Sequence, residues 1–418
     1  MNVKGSEKSR AQNTEHRTQT DNPPSPPFAK GEGFETFSEE LRGLREDNLF
    51  REFTCIELSP GSKISIKGEM FLNFSSNDYL NLSSNPEIVK AAINALKKYG
   101  LGSGASRLLS GTYASHKKLE ERIAEFKSTQ AAIVFNTGYA ANTGIIPAIA
   151  GADAVIFSDE LNHASIVDGT RLSKAGVKIY RHRDINHLES LLKKSFKSKS
   201  VKRRLIITET VFSMDGDIAP LNDLVSISRK YDALLMVDDA HGMGTLGKTG
   251  RGGLEHFGIK PDGIIQMGTL SKGAGCYGAF VAGKKDLINL LINRARSFIY
   301  STSLPPAVCE AGIKAIDIID SRSINSRKRL WKNRDRLYQG LKSLGYDTLD
   351  SETPIIPLLA GNVKDTLKMG RYLYRNKILA PAIRPPTVPE EKCRIRLSVT
   401  AGHTDEDIDL VLEILGRP

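Results

Sequence analysis

The sequence predicts an α/β protein: a large, doubly wound, mostly parallel sheet domain followed by a smaller C-terminal α+β domain. Three observations predict it. Seven short apolar runs recur between residues 132 and 282, several of them are separated by stretches of helical periodicity, and beyond Pro305-Pro306 that alternation gives way to a long helical pattern and a compact mixture. Near-continuous apolar runs suit strands covered on both faces, and alternation with helices is what parallel crossover units require.

In chain order, residues 1–35 are polar and irregular, with the run Asn22-Pro-Pro-Ser-Pro-Pro-Phe28. Such a segment cannot bury enough apolar surface to fold alone, so a disordered extension is expected. An N-terminal arm over 36–84 follows, in which Leu41, Leu44 and Leu49 predict a helix over Glu39–Phe53 and Lys63–Phe74 reads as a hairpin. The large domain, 85–305, opens with helical periodicity over Pro86–Tyr99 and Tyr113–Phe126. Its strands are expected at Ala132–Phe135, Ala154–Phe157, Val177–Tyr180, Leu205–Thr208, Ala233–Val237, Gly263–Met267 and Gly278–Ala282. The last two lie close together, which allows one antiparallel member. Over 306–418, one long helix should run from Ala307 into the 330s, and a final helix should span Asp405–Leu415.

The bulk properties exclude several classes. At 418 residues, with 40% hydrophobic and 26% charged residues, the chain suits one large soluble domain plus a smaller one. Its longest apolar region, Ala131–Phe157, is broken by Asn136, Asn142, glycines and Asp153 and cannot cross a bilayer. The N-terminal Lys4, Glu7, Lys8 and Arg10 are not followed by the apolar region of a secretory signal. Cys55, Cys276, Cys309 and Cys393 are scattered, which argues against a disulfide framework and structural zinc and points to a cytoplasmic location. The formal net charge of +11 draws on a run from Lys193 to Arg204. That run is read as offering no aromatic on which bases could stack, and so as a solvated loop, not a nucleic-acid surface.

Gly242-Met-Gly-Thr-Leu-Gly247-Lys248-Thr249 matches a nucleotide-binding phosphate loop literally. Such a loop needs a helix next, whose first amides face the phosphates; Gly250-Arg-Gly-Gly253 is a poor helix start. A glycine-rich turn beside an active site is the better reading.

The chemistry points elsewhere. Asp238-Asp239-Ala240-His241 lies at the carboxyl end of an expected strand, where open α/β sheets bind ligands. Lys272, in Thr269-Leu-Ser-Lys272-Gly273, follows the next one. An acid at one strand end and a lysine beyond the next suggest a pyridoxal phosphate site, with the lysine as Schiff-base partner and the acid holding the pyridine nitrogen protonated.

From about residue 45 onward the chain resembles the α-oxoamine synthase family. The matching segments are Asn73-Phe-Ser-Ser-Asn77-Asp-Tyr-Leu80, Gly102-Ser-Gly-Ala-Ser-Arg-Leu-Leu-Ser-Gly111, Glu160-Leu-Asn-His163-Ala-Ser165, Thr208-Glu209-Thr-Val-Phe-Ser213-Met-Asp-Gly-Asp217, Val237-Asp-Asp-Ala-His-Gly242, Thr269-Leu-Ser-Lys272-Gly273 and Tyr300-Ser-Thr-Ser303. The resemblance implies the pyridoxal-phosphate transferase fold of type I and a homodimer with active sites at the subunit interface. It implies that Lys272 is the Schiff-base lysine and acid–base, and that Asp238 partners the pyridine nitrogen. His163 would stack on the ring, with His241 and Ser213 at its oxygen. Gly138, Tyr139, Thr269, Ser271 and Thr302 from the partner subunit would hold the phosphate. Arg396 would grip the amino-acid carboxylate, Arg384 would lie near the acyl entry, and Asn77, Glu209 and Arg45 would complete the substrate set. Ala382-Ile-Arg384-Pro-Pro-Thr-Val-Pro389 and Arg394-Ile-Arg396-Leu resemble members of the family in a way that implies L-alanine and a pimeloyl thioester, on coenzyme A or acyl carrier protein, as substrates. A glycine C-acetyltransferase or another member of the family is the alternative. Ala105 and Arg107 depart from the commonest glycine loop of the family.

Overall fold

The computed structural model describes residues 32–59, 61–198 and 200–417; the irregular stretch expected at the N-terminus lies, through residue 31, outside the described residues. The described residues form two compact units that meet in sequence between Glu52 and Phe53. The first holds one helix, α1 (Glu32–Glu46). This helix starts and stops earlier than the leucine spacing suggests. Asn48 takes a left-handed φ of +58°, and the amides of Leu49 and Phe50 fold back onto the carbonyl of Leu44, which closes the helix there.

The second unit opens with the expected hairpin, β1 (Lys63–Ile66) and β2 (Glu69–Asn73). Its two turn residues, Lys67 and Gly68, both have left-handed φ, the geometry that matches strand twist. Helices α2 (Pro86–Tyr99) and α3 (Ala114–Phe126) follow where the periodicity places them. All seven expected apolar runs are strands of one sheet. They are β3 (Ala131–Phe135), β4 (Ala154–Asp159), β5 (Gly176–Tyr180), β6 (Arg203–Glu209), β7 (Leu234–Asp238), β8 (Ile264–Thr269) and β9 (Ala279–Gly283), in the order β3-β9-β8-β7-β6-β4-β5. Only β9 runs against its neighbours. Helices α4 (Gly138–Ile149), α5 (Ala164–Leu172), α6 (Ile185–Phe196) and α7 (Leu221–Lys230) connect the parallel strands.

The strand pleat divides the core. Leu205 and Ile207 of β6 face a cluster with Ile145 and Ile146 of α4, while Ile206 between them packs with Leu188 of α6 and Leu224 of α7. Burial on both faces is why these strands read as unbroken apolar runs. The basic run over 193–204 is partly regular: Lys193 and Lys194 end α6, and Arg203 and Arg204 begin β6. Its single aromatic, Phe196, meets Tyr231 edge-on and carries the Arg204 guanidinium over its ring.

The glycine-rich loop after β7 leads into a single helical turn, α8 (Gly253–His256), and its amides already have anions. Asp239 Oδ1 accepts from Gly253 N at 3.0 Å, and Glu255 accepts from Thr249 N and Arg251 N, each at 2.9 Å. Gly252 has φ +97°, and a Cβ there would sit 1.7 Å from Asp239 Oδ2. The loop thus closes on the chain's own carboxylates. Buried Lys127 balances the charge, its Nζ donating to Asp239 Oδ2 at 2.7 Å and to the Arg251 carbonyl at 2.5 Å.

Beyond β9 come α9 (Lys285–Arg294) and α10 (Arg296–Ile299). The single long helix expected from Ala307 is instead two, α11 (Pro306–Arg322) and α12 (Ile324–Ser343). The break at Ser323 has a local cause: its hydroxyl donates to the Ile319 carbonyl at 2.6 Å, and Arg327 Nη1 reaches the same oxygen at 3.2 Å. Side-chain donors take over the carbonyl at the end of the helix. A second sheet holds β10 (Ile355–Gly361) and, after α13 (Val363–Arg375), β11 (Ile378–Leu379) leads to β12 (Ala382–Ile383) and β13 (Cys393–Ser398). Its order is β10-β13-β12, all antiparallel, while β11 pairs parallel with β2 of the hairpin. The chain closes with α14 (Asp405–Leu415), N-capped by Thr404.

Replacing Lys127 with Met removes the cation from a buried carboxylate, a change that costs about 3 kcal/mol. Denaturant unfolding should show that loss for Lys127→Met, whereas an exposed pair such as Lys342–Asp350 should lose well under 1 kcal/mol on substitution.

Candidate functional site

The parallel strands β6, β7 and β8 end in Glu209, Asp238 and Thr269. Glu209 and Asp238 are direct ladder partners and are 3% and 5% exposed, so two buried carboxyl groups stand side by side. Asp238 is fixed at both oxygens. Oδ1 accepts from Ala240 N at 3.0 Å, and Oδ2 accepts from the side-chain amide of Asn142 at 2.8 Å. The second proton of that amide goes to Ser165 Oγ at 2.9 Å. Glu209 accepts from His163 N at 2.6 Å. Burial first, then the neighbouring Asp238 charge, raises the Glu209 pKa well above the ordinary carboxyl value.

Lys272 lies just past β8, and its amine has no hydrogen-bond partner among the described residues. Burial lowers its pKa, with Arg396 adding to the effect and Asp238 and Glu209 opposing it. His163 caps α5, its Nδ1 accepting from Ser165 N at 3.2 Å. Although exposed overall, His163 has a lowered pKa, through desolvation by the protein around it and then the Lys272 charge. His241 is buried and held well below its ordinary pKa by that burial, reinforced by Lys272 and Arg396. Its Nδ1 lies 2.7 Å from the hydroxyl of Tyr79, whose own pKa burial pushes up to about 12.

Arg396 on β13 completes the group. Nε donates to the Ser213 carbonyl at 2.6 Å, Nη1 to Ser398 Oγ at 2.7 Å and Nη2 to Asn77 Oδ1 at 3.2 Å. A guanidinium has five N–H groups. Three are engaged in these bonds and the guanidinium also interacts with the Tyr79 hydroxyl; what remains on the terminal nitrogens suits a carboxylate.

At the N-terminus of α4, the Thr137 side chain caps the amide of Ala140 at 3.0 Å, leaving the amides of Gly138 and Tyr139 turned to the helix entrance. A Cβ on Gly138 would sit 3.0 Å from Thr269 Cγ2, so glycine lets the helix start this close to β8. Thr269 Oγ1 is buried without a hydrogen-bond partner. An orphan hydroxyl beside a helix entrance fits a phosphate.

The structure therefore brings together Lys272, Asp238, Glu209, His163, His241, Asn77, Arg396 and the Ser213 carbonyl, with Gly138, Tyr139 and Thr269 at the helix entrance. The phenol of Tyr139 donates to Asp168, leaving its amide as the group at the entrance. Ser271 is exposed. Thr302 is exposed too, and its carbonyl accepts from Asn136 of the same chain at 2.7 Å. Arg384 follows β12 and is half-buried. Arg45 lies in the N-terminal unit, its guanidinium 4.0 Å over the Phe50 ring. Arg107 pairs with Glu120 through both terminal nitrogens. Three residues were not anticipated: Asn142, Ser165 and Tyr79. Ser165 and Tyr79 lie inside matching segments, and Asn142 sits one helical turn beyond Gly138-Tyr139.

The chain belongs to the aminotransferase class I and II family, whose profile matches residues 69–415. Among its relatives, it is 49% identical over 384 residues to the 8-amino-7-oxononanoate synthase of Geotalea daltonii, covering 92% of this chain and 97% of the relative. The enzyme of the same name from Geobacter sulfurreducens is 48% identical over 379 residues, covering 90% and 96%. A solved serine palmitoyltransferase from S. paucimobilis, with a bound PLP–myriocin aldimine, superposes with a TM-score of 0.86 at 30% identity, covering 92% of this chain and 97% of that one. An 8-amino-7-oxononanoate synthase from Francisella tularensis gives a TM-score of 0.72 at 30% identity, covering 83% and 97%.

The donor set fits pyridoxal phosphate: an unpartnered amine for its aldehyde, a fixed carboxylate for its ring nitrogen, and an orphan hydroxyl with helix amides for its phosphate. Asn142→Ala takes from Asp238 a hydrogen bond of about 2 kcal/mol. Equilibrium dialysis should then find pyridoxal phosphate retained roughly thirty-fold less tightly.

Proposed function

We propose that the chain is a pyridoxal-phosphate-dependent 8-amino-7-oxononanoate synthase. It condenses L-alanine with a pimeloyl thioester, releases carbon dioxide and the thiol, and works as a homodimer in the cytoplasm. The observation that carries this reading is the unpartnered Lys272 amine among the charges of Asp238, Glu209 and Arg396, with His241 beside it. Identities of 48–49% to enzymes of that name support the choice within the family. Exposed Leu101, Leu108, Leu109 and Tyr300 support a surface covered by a second copy. Among the described residues no helix is long and apolar enough to cross a membrane.

Pyridoxal phosphate, when bound, supplies a protonated ring that draws electron density from the substrate α-carbon. Lys272 would hold it covalently and, as a neutral amine, would take the α-proton of alanine; its lowered pKa favours that neutral form. Asp238 would keep the proton on the ring nitrogen, with Asn142 holding Asp238 in place. His163 would cover a ring face, and His241 and Ser213 would serve the ring oxygen. Arg396 and Asn77 orient the carboxylate, which later leaves as carbon dioxide. Gly138, Tyr139, Thr269 and Ser271 would hold the phosphate, with Thr302 of the partner subunit. Arg384 and Arg45 serve the acyl substrate, carried on coenzyme A or acyl carrier protein.

Thiol release by the cofactor-loaded enzyme tests this directly. L-Alanine with pimeloyl-CoA should outpace glycine with acetyl-CoA. The reverse preference would overturn the substrate reading in favour of a glycine C-acetyltransferase. Lys272→Ala should abolish turnover and the visible absorbance of lysine-bound cofactor together; an active Lys272→Ala enzyme would sink the assignment of the lysine.

A further inference from the structure

The turn that offers Ser213 to Arg396 is held from its far side by a charged histidine outside the site described above. His182 lies two residues beyond β5. Its Nδ1 is 2.9 Å from Asp159 Oδ1 at the end of β4, and its Nε2 is 2.7 Å from Asp217 Oδ2 at the base of the turn. A neutral imidazole has one N–H and could donate to only one of these carboxylates; the doubly protonated ring donates to both. The ring also meets Phe212, at the other end of the turn, edge-on at 4.4 Å. The turn is closed on itself, with Phe212 N donating to the Asp217 carbonyl at 3.1 Å and Gly216 N to the Phe212 carbonyl at 2.8 Å. On its other side, Arg394 holds Met214 O at 3.2 Å and Asp215 Oδ1 at 2.5 Å, and Arg396 takes the Ser213 carbonyl.

We propose that protonated His182 is a positioning residue: by clamping Asp217 to Asp159 it fixes the Ser213 carbonyl and so aims the Arg396 fork at the amino-acid carboxylate. This rests on the reading of Arg396 as the carboxylate anchor. The charges around His182 suit a cation. Asp159 and Asp217 face its two nitrogens, and Glu160 accepts its backbone N–H at 2.8 Å. Against them stands Arg183, which donates to Asp217 Oδ2 at 3.1 Å and pairs with Glu352 at 3.3 Å. Burial alone would lower the His182 pKa, but the two carboxylates overcome it and raise it from 6.5 to about 9. The clamp is therefore complete below the ordinary histidine value and is lost as pH rises through about 9.

Steady-state kinetics on three variants of the holoenzyme test this. His182→Gln, which loses the charge and one donor, should raise KM for alanine roughly ten-fold, the loss of one charge-assisted hydrogen bond, with KM for pimeloyl-CoA and the cofactor spectrum unchanged. His182→Arg keeps a charge that does not titrate. It should restore KM at neutral pH and, relative to wild type, flatten the rise in alanine KM above pH 9. Titration of alanine and Lys272 is common to both enzymes and cancels in that ratio. Arg396→Ala is the control for the underlying reading. If it raises alanine KM while His182→Gln lowers only kcat and melting temperature, or weakens both substrates alike, His182 is merely structural and the inference falls. If Arg396→Ala itself leaves alanine KM unchanged, the reading of Arg396 fails and takes the inference with it.

Discussion

Taking charged groups out of water is the constraint around which this molecule is built. Lys272, Asp238, Glu209 and Arg396 share one cleft, and each would be costly there alone. The cost is contained by pairing signs and by saturating each group from the scaffold. Asp238 has a donor at each oxygen, Glu209 leans toward its neutral form through its burial and then the charge of its ladder partner Asp238, and Arg396 spends three donors on fixed acceptors. Only Lys272 is left without a hydrogen bond, and its lowered pKa follows from that burial. A parallel sheet is the economical way to assemble such a group, because the carboxyl ends of successive strands arrive at one edge in register.

The same edge carries a second charge problem, solved differently. The loop after β7 carries glycines in the spacing of a phosphate site, yet Asp239 and Glu255 occupy its amides and Lys127 neutralises Asp239 from below. Anion capacity is thereby moved away from this loop to the entrance of α4, where two amides and the Thr269 hydroxyl remain. A glycine pattern tells how closely the backbone can approach something. It does not tell whether that something is a ligand or the chain's own carboxylate.

Much of this was legible in the sequence because it is local. Strands buried on both faces write themselves as apolar runs, and Lys272, Asp238 and His241 stand within a few residues of strand ends. What escaped depends on distant partners. Asn142 lies 96 residues from the carboxylate it steadies, and nothing in its own helix distinguishes it from a buried amide satisfied elsewhere. His182 sits outside every matching segment, and its partners come from the end of β4 and from the turn after β6, 23 and 35 residues away in sequence for the two carboxylates. The break between α11 and α12 was invisible for the opposite reason: helical periodicity continues through Ser323, and the cause lies in which donor reaches the Ile319 carbonyl.

The division of labour on β13 shows how position alone separates structure from recognition. Arg394 and Arg396 are two residues apart, so they project from the same face of the strand and meet the same turn. Arg394 is almost wholly enclosed; its Nη1 holds Met214 O and Asp215 and its Nε the Lys392 carbonyl, so it serves as an anchor of the turn. Arg396 takes one carbonyl from that turn and one oxygen each from Ser398 and Asn77, which fixes the plane of its guanidinium. A lysine at 396 could supply charge but no such plane. Two arginines of equal chemistry thus acquire different roles from the same turn: Arg394, enclosed, gives its Nη1 donors to two groups of it, whereas Arg396 takes a single carbonyl and is oriented by it.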